Sequence, residues 1–224
     1  MFTDIEAHYA DLVKYDHLGE LCMTWCRAAS VDRVIGALDV DVVEVTVGDL
    51  QTLVIESYAD LEAGRLGRFL LLAEEPPWYL TVEYTGDRAH TALERLSSGG
   101  EAICLTGSQM LYRGRLYYAR EGRTRCVFDY GGDIWGDTAP IEEHLDGLFN
   151  LHERYADIDR GLVPGEQLLD DWRIHAFVLI ERITGIRLSL ELLREKPLYR
   201  FWGWGDPPLK SDDGPQSPAP GTVR

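Results

Sequence analysis

The chain has 224 residues, and its 22 Lys and Arg stand against 38 Asp and Glu, a formal net charge of −16. That balance argues against a sequence-independent nucleic-acid binder and against an anionic membrane surface, both of which need clustered cations. It leaves room for a basic protein partner. With 45 % hydrophobic and 27 % charged residues the composition is that of a globular protein, long enough to bury a core without staples.

The first predicted element is an amphipathic helix over residues 4–15, with Ile5, Tyr9, Leu12 and Val13 on one face. Residues 21–26 read as a strand, with Cys22, Thr24 and Cys26 on one side and Met23 and Trp25 on the other. Ser30 is placed as the N-cap of a helix carrying Val31, Val34, Ile35 and Leu38. Residues 40–47 are β-branched and read as a short strand or an extended lead-in. The Thr46–Asp49 stretch then opens a helix through Leu50, Leu53, Val54, Tyr58 and Leu61.

A hairpin follows, from residues 68–73 and 78–84, with Glu74-Glu75-Pro76-Pro77 between them. Residues 88–96 read as one helix ended by Ser97-Ser98-Gly99-Gly100. Three strands are predicted over 101–106, 110–119 and 123–130. Arg120-Glu121-Gly122 reads as a three-residue loop with a G1 bulge. That register pairs Ala119 with Arg123, Tyr117 with Arg125 and Arg113 with Asp129, and turns Tyr112, Leu116, Tyr118, Cys126 and Phe128 to the core.

Residues 131–136 are expected to be loop and 138–149 a helix entered at Thr138 and Pro140. Residues 150–166 carry little pattern. Residues 168–183 form the strongest helical pattern of the chain, and a short helix is expected over 189–194. Beyond Pro197 the pattern breaks into the aromatic, Gly-rich run Phe201-Trp202-Gly203-Trp204-Gly205. Residues 206–224, rich in Pro, Gly, Ser and Asp, read as a disordered tail. The domain organisation expected is one domain over 1–196, an aromatic segment over 197–205 and the tail.

Local chemistry signatures are absent from the sequence. Cys22 and Cys26 are four apart, while Cys104 and Cys126 are isolated. That is not a zinc spacing, and free cysteines in apolar patterns behave as small hydrophobes. The histidines form no HxH, HExxH or HxxxH pair. There is no GxSxG elbow and no phosphate-binding loop. Neither a catalytic residue, nor a metal site, nor a cofactor is therefore assigned. Two stretches stand out as partner-binding candidates. One is the arginine face of the predicted hairpin, formed by Arg113, Arg115, Arg123 and Arg125. The other is the aromatic run with Trp202 and Trp204, since exposed aromatics favour interfaces. No apolar run reaches the ~20 residues of a membrane span. The acidic N-terminus does not resemble a secretory signal, and the cysteine usage is not that of a disulfide scaffold. The expected compartment is the cytoplasm.

Four stretches carry a family resemblance. They are Leu21-Cys22-Met23-Thr24-Trp25-Cys26-Arg27 with the helix led by Ser30, Trp78-Tyr79-Leu80-Thr81-Val82-Glu83, the helix running into Ser-Gly-Gly before Glu101, and Ile180-Glu181-Arg182-Ile183-Thr184-Gly185-Ile186-Arg187-Leu188. Across roughly residues 15 to 195 the chain resembles an actinobacterial family of uncharacterised proteins defined by a domain of unknown function. The resemblance implies a small α+β bacterial protein and carries over no functional residue.

The fold class expected is α+β: a mainly antiparallel sheet of about five or six strands flanked by helices, with a long C-terminal helix packed on it. Acidity and the lack of a local catalytic signature favour a non-enzymatic protein-binding module, immunity-like or regulatory, for which a basic protein partner is the expectation. The alternative is a small-molecule-binding protein or an enzyme whose site is assembled from residues distant in sequence.

Overall fold

The computed structural model describes residues 4–15, 18–65, 67–108, 113–130, 133–149 and 165–202. In chain order the elements are α1 (Asp4–Leu12), β1 (Leu21–Arg27), α2 (Val31–Leu38), β2 (Val42–Gly48), α3 (Leu50–Glu62), β3 (Phe69–Glu75), β4 (Trp78–Tyr84), α4 (Arg88–Thr91) and α5 (Leu93–Leu96). They continue with β5 (Glu101–Ser108), β6 (Arg113–Arg120), β7 (Arg123–Asp129), β8 (Ile134–Gly136), α6 (Gly165–Thr184) and β9 (Lys196–Phe201). Short 3-10 turns cover Leu18–Glu20 and Ala139–His144.

All described strands join one sheet of nine in the order β2-β9-β3-β4-β1-β5-β6-β7-β8, and every neighbouring pair is antiparallel. The expectation of five or six strands with a long C-terminal helix is thereby corrected. The helices are mostly short, and the last element among the described residues is a strand. The chain passes from α6 into β9, which inserts between β2 and β3. The added strands were hidden for different reasons. β8 has three residues, too few to show alternation. β9 begins at a Lys-Pro pair, which reads as the end of a pattern.

The central strands are buried on both faces, so they read as continuous apolar runs. On one face Met23, Trp25, Leu71, Leu80, Val82, Ile103, Leu105, Leu116 and Tyr118 pack against residues of α1, α3 and α6. On the other, Cys22, Cys26, Leu70, Leu72, Tyr79, Ala102 and Cys104 pack against α2, α4 and α5. The alternation expected of β1, with its cysteines opposite Met23 and Trp25, is the one observed.

Local chemistry sets the helix boundaries. Ser30 caps α2, its Oγ accepting from the Arg33 N–H at 3.4 Å, and Asp49 caps α3, accepting from the Thr52 N–H at 2.8 Å. The helix expected over 88–96 is two single turns separated at Ala92. The helix expected over 138–149 is a 3-10 turn, and residues 189–194 form turns without helix.

The β6–β7 hairpin also departs from its expected register. Its turn is the two-residue pair Glu121-Gly122, with φ of 54° and 76°, the conformation that matches the twist of the flanking strands. A bulge between Tyr118 and Ala119 on the ladder leaves Arg125 unpaired, and Arg115, not Arg113, lies opposite Asp129. The shift is by two residues, so the faces survive: Leu116, Tyr118, Cys126 and Phe128 are all buried.

Candidate functional site

The arginines of the hairpin sit on the sheet beside β8. The Arg115 Nε donates to the Asp129 carboxylate at 2.9 Å, and its guanidinium lies 5.8 Å from the centre of the Trp135 ring. Arg125 meets Glu121 at 3.6 Å. Arg123 is exposed and opposite Arg120. The Arg113 side chain lies outside the described residues, as do residue 204 and the tail over 206–224. Trp202 follows β9 directly, is 37 % exposed, and donates its backbone N–H to the Asp41 carbonyl at 2.9 Å. Phe201 beside it is fully buried.

The nucleophiles and titratable groups of the core are occupied in structure. All four cysteines are buried and free, and the sulfurs of Cys22 and Cys104 lie 3.7 Å apart. Burial pushes the Cys26 and Cys126 thiols up to about 12, and contact with Cys104 together with burial raises that of Cys22. Raised thiols of this kind are poor nucleophiles. Among the described residues no group of three or more His, Cys, Asp or Glu is arranged to hold a metal ion. His175 Nδ1 accepts the Phe149 N–H at 3.0 Å, which leaves its ring proton on Nε2 when the ring is neutral.

Glu83 on β4 is the one fully buried carboxylate of the sheet. Its two oxygens accept the backbone N–H groups of Arg88 and Ala89 at 3.0 and 2.8 Å, so it caps α4 from the neighbouring strand. Burial pushes its carboxyl up to about 7, against the pull of those two hydrogen bonds. Tyr84, the next residue, points to the other face and donates to Glu20 at 2.6 Å. With its oxygens used by a helix terminus, Glu83 is a positioning group for α4.

The surface feature that stands apart is β2. It occupies one end of the sheet order and pairs with β9 alone. From Val42 to Val47 every residue is exposed. Val42, Val43, Val45 and Val47 are exposed by 40, 44, 52 and 71 %. Val45 and Val47 stand on the sheet face of Tyr199 and Pro197, their register partners. On the outer side the strand's backbone donors and acceptors meet no other strand among the described residues. The strand's own segment is anionic: Asp39, Asp41, Glu44 and Asp49 lie in or beside the strand, and no Lys or Arg occurs between Arg33 and Arg65, the nearest cations on the ladder being Arg200 and Lys196 of β9. Glu44 reaches Arg200 of β9 at 3.8 Å.

Sequence reasoning left a short strand and an extended lead-in open here, and named no interaction edge. Two signals were available: valine at 42, 43, 45 and 47, and the cation-free stretch around them.

These features define an α+β protein built on one antiparallel sheet, with a long valine-bearing strand left open at one edge. Residues 8–199 match the family of unknown function DUF6461, and the chain belongs to that family. No curated protein and no solved structure matches it. No helix among the described residues is long and apolar enough to cross a membrane.

Proposed function

We infer that this protein is a non-enzymatic binding module, immunity-like or regulatory and acting in the cytoplasm, that recruits a basic protein partner by adding the partner's strand to β2. The observation that carries this reading is the exposed valine strand at the edge of the sheet, in a chain segment that carries four carboxylates and no Lys or Arg. An open edge gives main-chain hydrogen bonds, and the valines on alternate positions give apolar contact. Charge selects the occupant. A second copy would bring Asp39, Asp41, Glu44 and Asp49 against the same four residues, whereas a strand with Lys or Arg flanking apolar positions complements them.

A synthetic strand peptide of alternating Lys and Val, and its Glu–Val analogue, test this against the full chain by fluorescence anisotropy and amide chemical shifts. The expected result is saturable, salt-weakened binding of the Lys–Val peptide with the first shifts on residues 42–48. Val45→Lys should lower that affinity at least about tenfold. Equal binding of both peptides, shifts centred elsewhere, or a dimer joined through β2 in sedimentation equilibrium overturns the reading.

A further inference from the structure

A second feature lies away from the β2 edge and does not depend on it. Between α2 and the turn that follows α5 is an open cleft of about 670 Å³, within the range of small-molecule sites. Its floor is small and apolar, from Ala28, Ala29, Val34, Ala37 and Leu96. Its walls carry Arg27, Arg33 and Arg95 with one carboxylate, Asp32.

Many guanidiniums of this molecule find acids: Arg65 and Arg68 on Asp60, Arg115 on Asp129, Arg173 on Asp170, Arg187 on Glu181 and Arg200 on Glu44. Others, such as Arg88 and Arg182, donate to backbone carbonyls. Around this cleft none of the three has a carboxylate within ion-pair distance among the described residues, although acids outnumber bases 38 to 22 in the chain.

Arg95 is also held in place. Its Nε donates to the Ala37 carbonyl at 2.7 Å and one terminal nitrogen to the Leu38 carbonyl at 3.5 Å. These bonds fix the guanidinium at the end of α2. Arg27 closes β1 with its stem along Gly100, where an added Cβ would lie 3.5 Å from that of Arg27. Arg33 stands in the first turn of α2, its backbone N–H already taken by Ser30. Gly36 and Gly99 also line the cleft, and an added Cβ at either meets nothing within 4 Å. The lining therefore presents cations over a small apolar floor with space left open above them.

We propose that this cleft binds a small phosphate-bearing molecule. Planar guanidinium forks match phosphate oxygens in pairs, and a point-charge lysine does not. A lone carboxylate can use one such fork, whereas a diphosphate presents enough oxygens and charge for three. The apolar floor takes the body of the ligand.

Isothermal titration of inorganic pyrophosphate into the full chain at low salt tests the proposal, with malonate as the carboxylate control. One-site saturable binding of pyrophosphate, tighter than that of malonate, is expected. Arg27→Gln and Arg33→Gln should each weaken it by about tenfold. Gly36→Phe should fill the cleft and abolish it, while Arg194→Gln, an exposed change between α6 and β9, should leave it unchanged. Circular dichroism melting checks that each variant folds. Arg33→Gln, an exposed side-chain change, carries the test if Gly36→Phe does not fold. Absence of saturable binding, malonate binding as tightly as pyrophosphate, or an equal loss in Arg194→Gln overturns it. The strand peptides at β2 are read independently, so either proposal can fail alone.

Discussion

The two edges of the sheet solve the same problem in opposite ways. Any edge strand presents unpaired backbone groups, and natural proteins blunt it by shortness, charge or cover. β8 is three residues long, and the Arg115 guanidinium lies over its Trp135 ring. Its last residue, Gly136, has φ of 93° and sits so close to the Arg125 carbonyl that a Cβ would collide with it. The edge is short and drawn tightly onto β7. β2 runs for seven residues, and its one bulge falls at the first step, between Val42 and Glu44. From Glu44 to Gly48 the pairing with β9 is regular, and the outer side is valine-bearing. Side-chain exposure is common to both rims, Ile134 and Trp135 being 45 and 48 % exposed, so what sets β2 apart is its length and its regular pairing. One rim offers three residues to a neighbour, and the other offers seven.

The largest effect expected comes from cutting the connection between β2 and the rest of the sheet. β2 is attached through β9, and Phe201 at the end of β9 is fully buried against the second core face. Phe201→Ala should cost about 3–5 kcal/mol in denaturant unfolding. If the open edge is where the partner docks, this variant should lose peptide binding along with stability. Retained binding in a folded fraction would separate the two and break the comparison.

Glu83 belongs to neither edge and sets the background for reading them. Its folded-state carboxyl is raised to about 7 from 4.5, so the folded protein holds this proton more tightly than the unfolded chain. The associated stability is fully present below the unfolded value and is lost as the pH rises through about 7, by about 3 kcal/mol. Glu83→Gln should flatten that part of the profile. Urea midpoints measured from pH 4.5 to 8 for both proteins check it, and an unchanged slope would refute it.

A matched pair of substitutions then addresses the edges directly. Val45→Lys places a charge on the open strand, and Trp135→Lys places one on the closed strand. Only the first should weaken the Lys–Val peptide, by at least about tenfold, and it should move stability by less than about 0.5 kcal/mol because Val45 is half exposed. Equal losses from both would mean that the edges are not different in kind.

Much of the centre was legible in the sequence. Strands buried on both faces must be apolar throughout, so residues 69–73 and 78–84 announced themselves, as did the alternation of β1. The rims were not legible, because what defines them is which neighbour is absent. Val42 to Val47 reads as extended chain, a short strand or a lead-in, and only the sheet order shows that it pairs on one side and is open on the other. β8 and β9 lack the length or the pattern, and β9 holds its place through Leu198 and Phe201, on opposite core faces. The arginine cleft was out of reach for a different reason. Arg27, Arg33 and Arg95 come from a strand end and two helices, joined only when α2 packs beside α5. The hairpin arginines, by contrast, were visible, but their pairing depended on a turn one residue shorter than expected and on a compensating bulge.

That hairpin supplies the smallest effect. Arg115 joins the Asp129 carboxylate at 2.9 Å and lies over Trp135. Its side chain is 48 % exposed and that of Asp129 is 19 % exposed, so water screens the ion pair, and surface pairs contribute roughly 0–1 kcal/mol. The ring contact adds about 0.5 kcal/mol at an exposed site. Arg115→Gln should therefore lower global stability by less than about 1 kcal/mol. The local consequence is more informative. If Arg115 guards the closed edge, its loss should speed amide hydrogen exchange at Ile134 and Trp135 while leaving residues 42–48 unaltered. It should also leave the Lys–Val peptide affinity unchanged, since that edge is at the far end of the sheet order. Faster exchange across the whole sheet would instead make Arg115 a general stabiliser and remove the guard from the comparison.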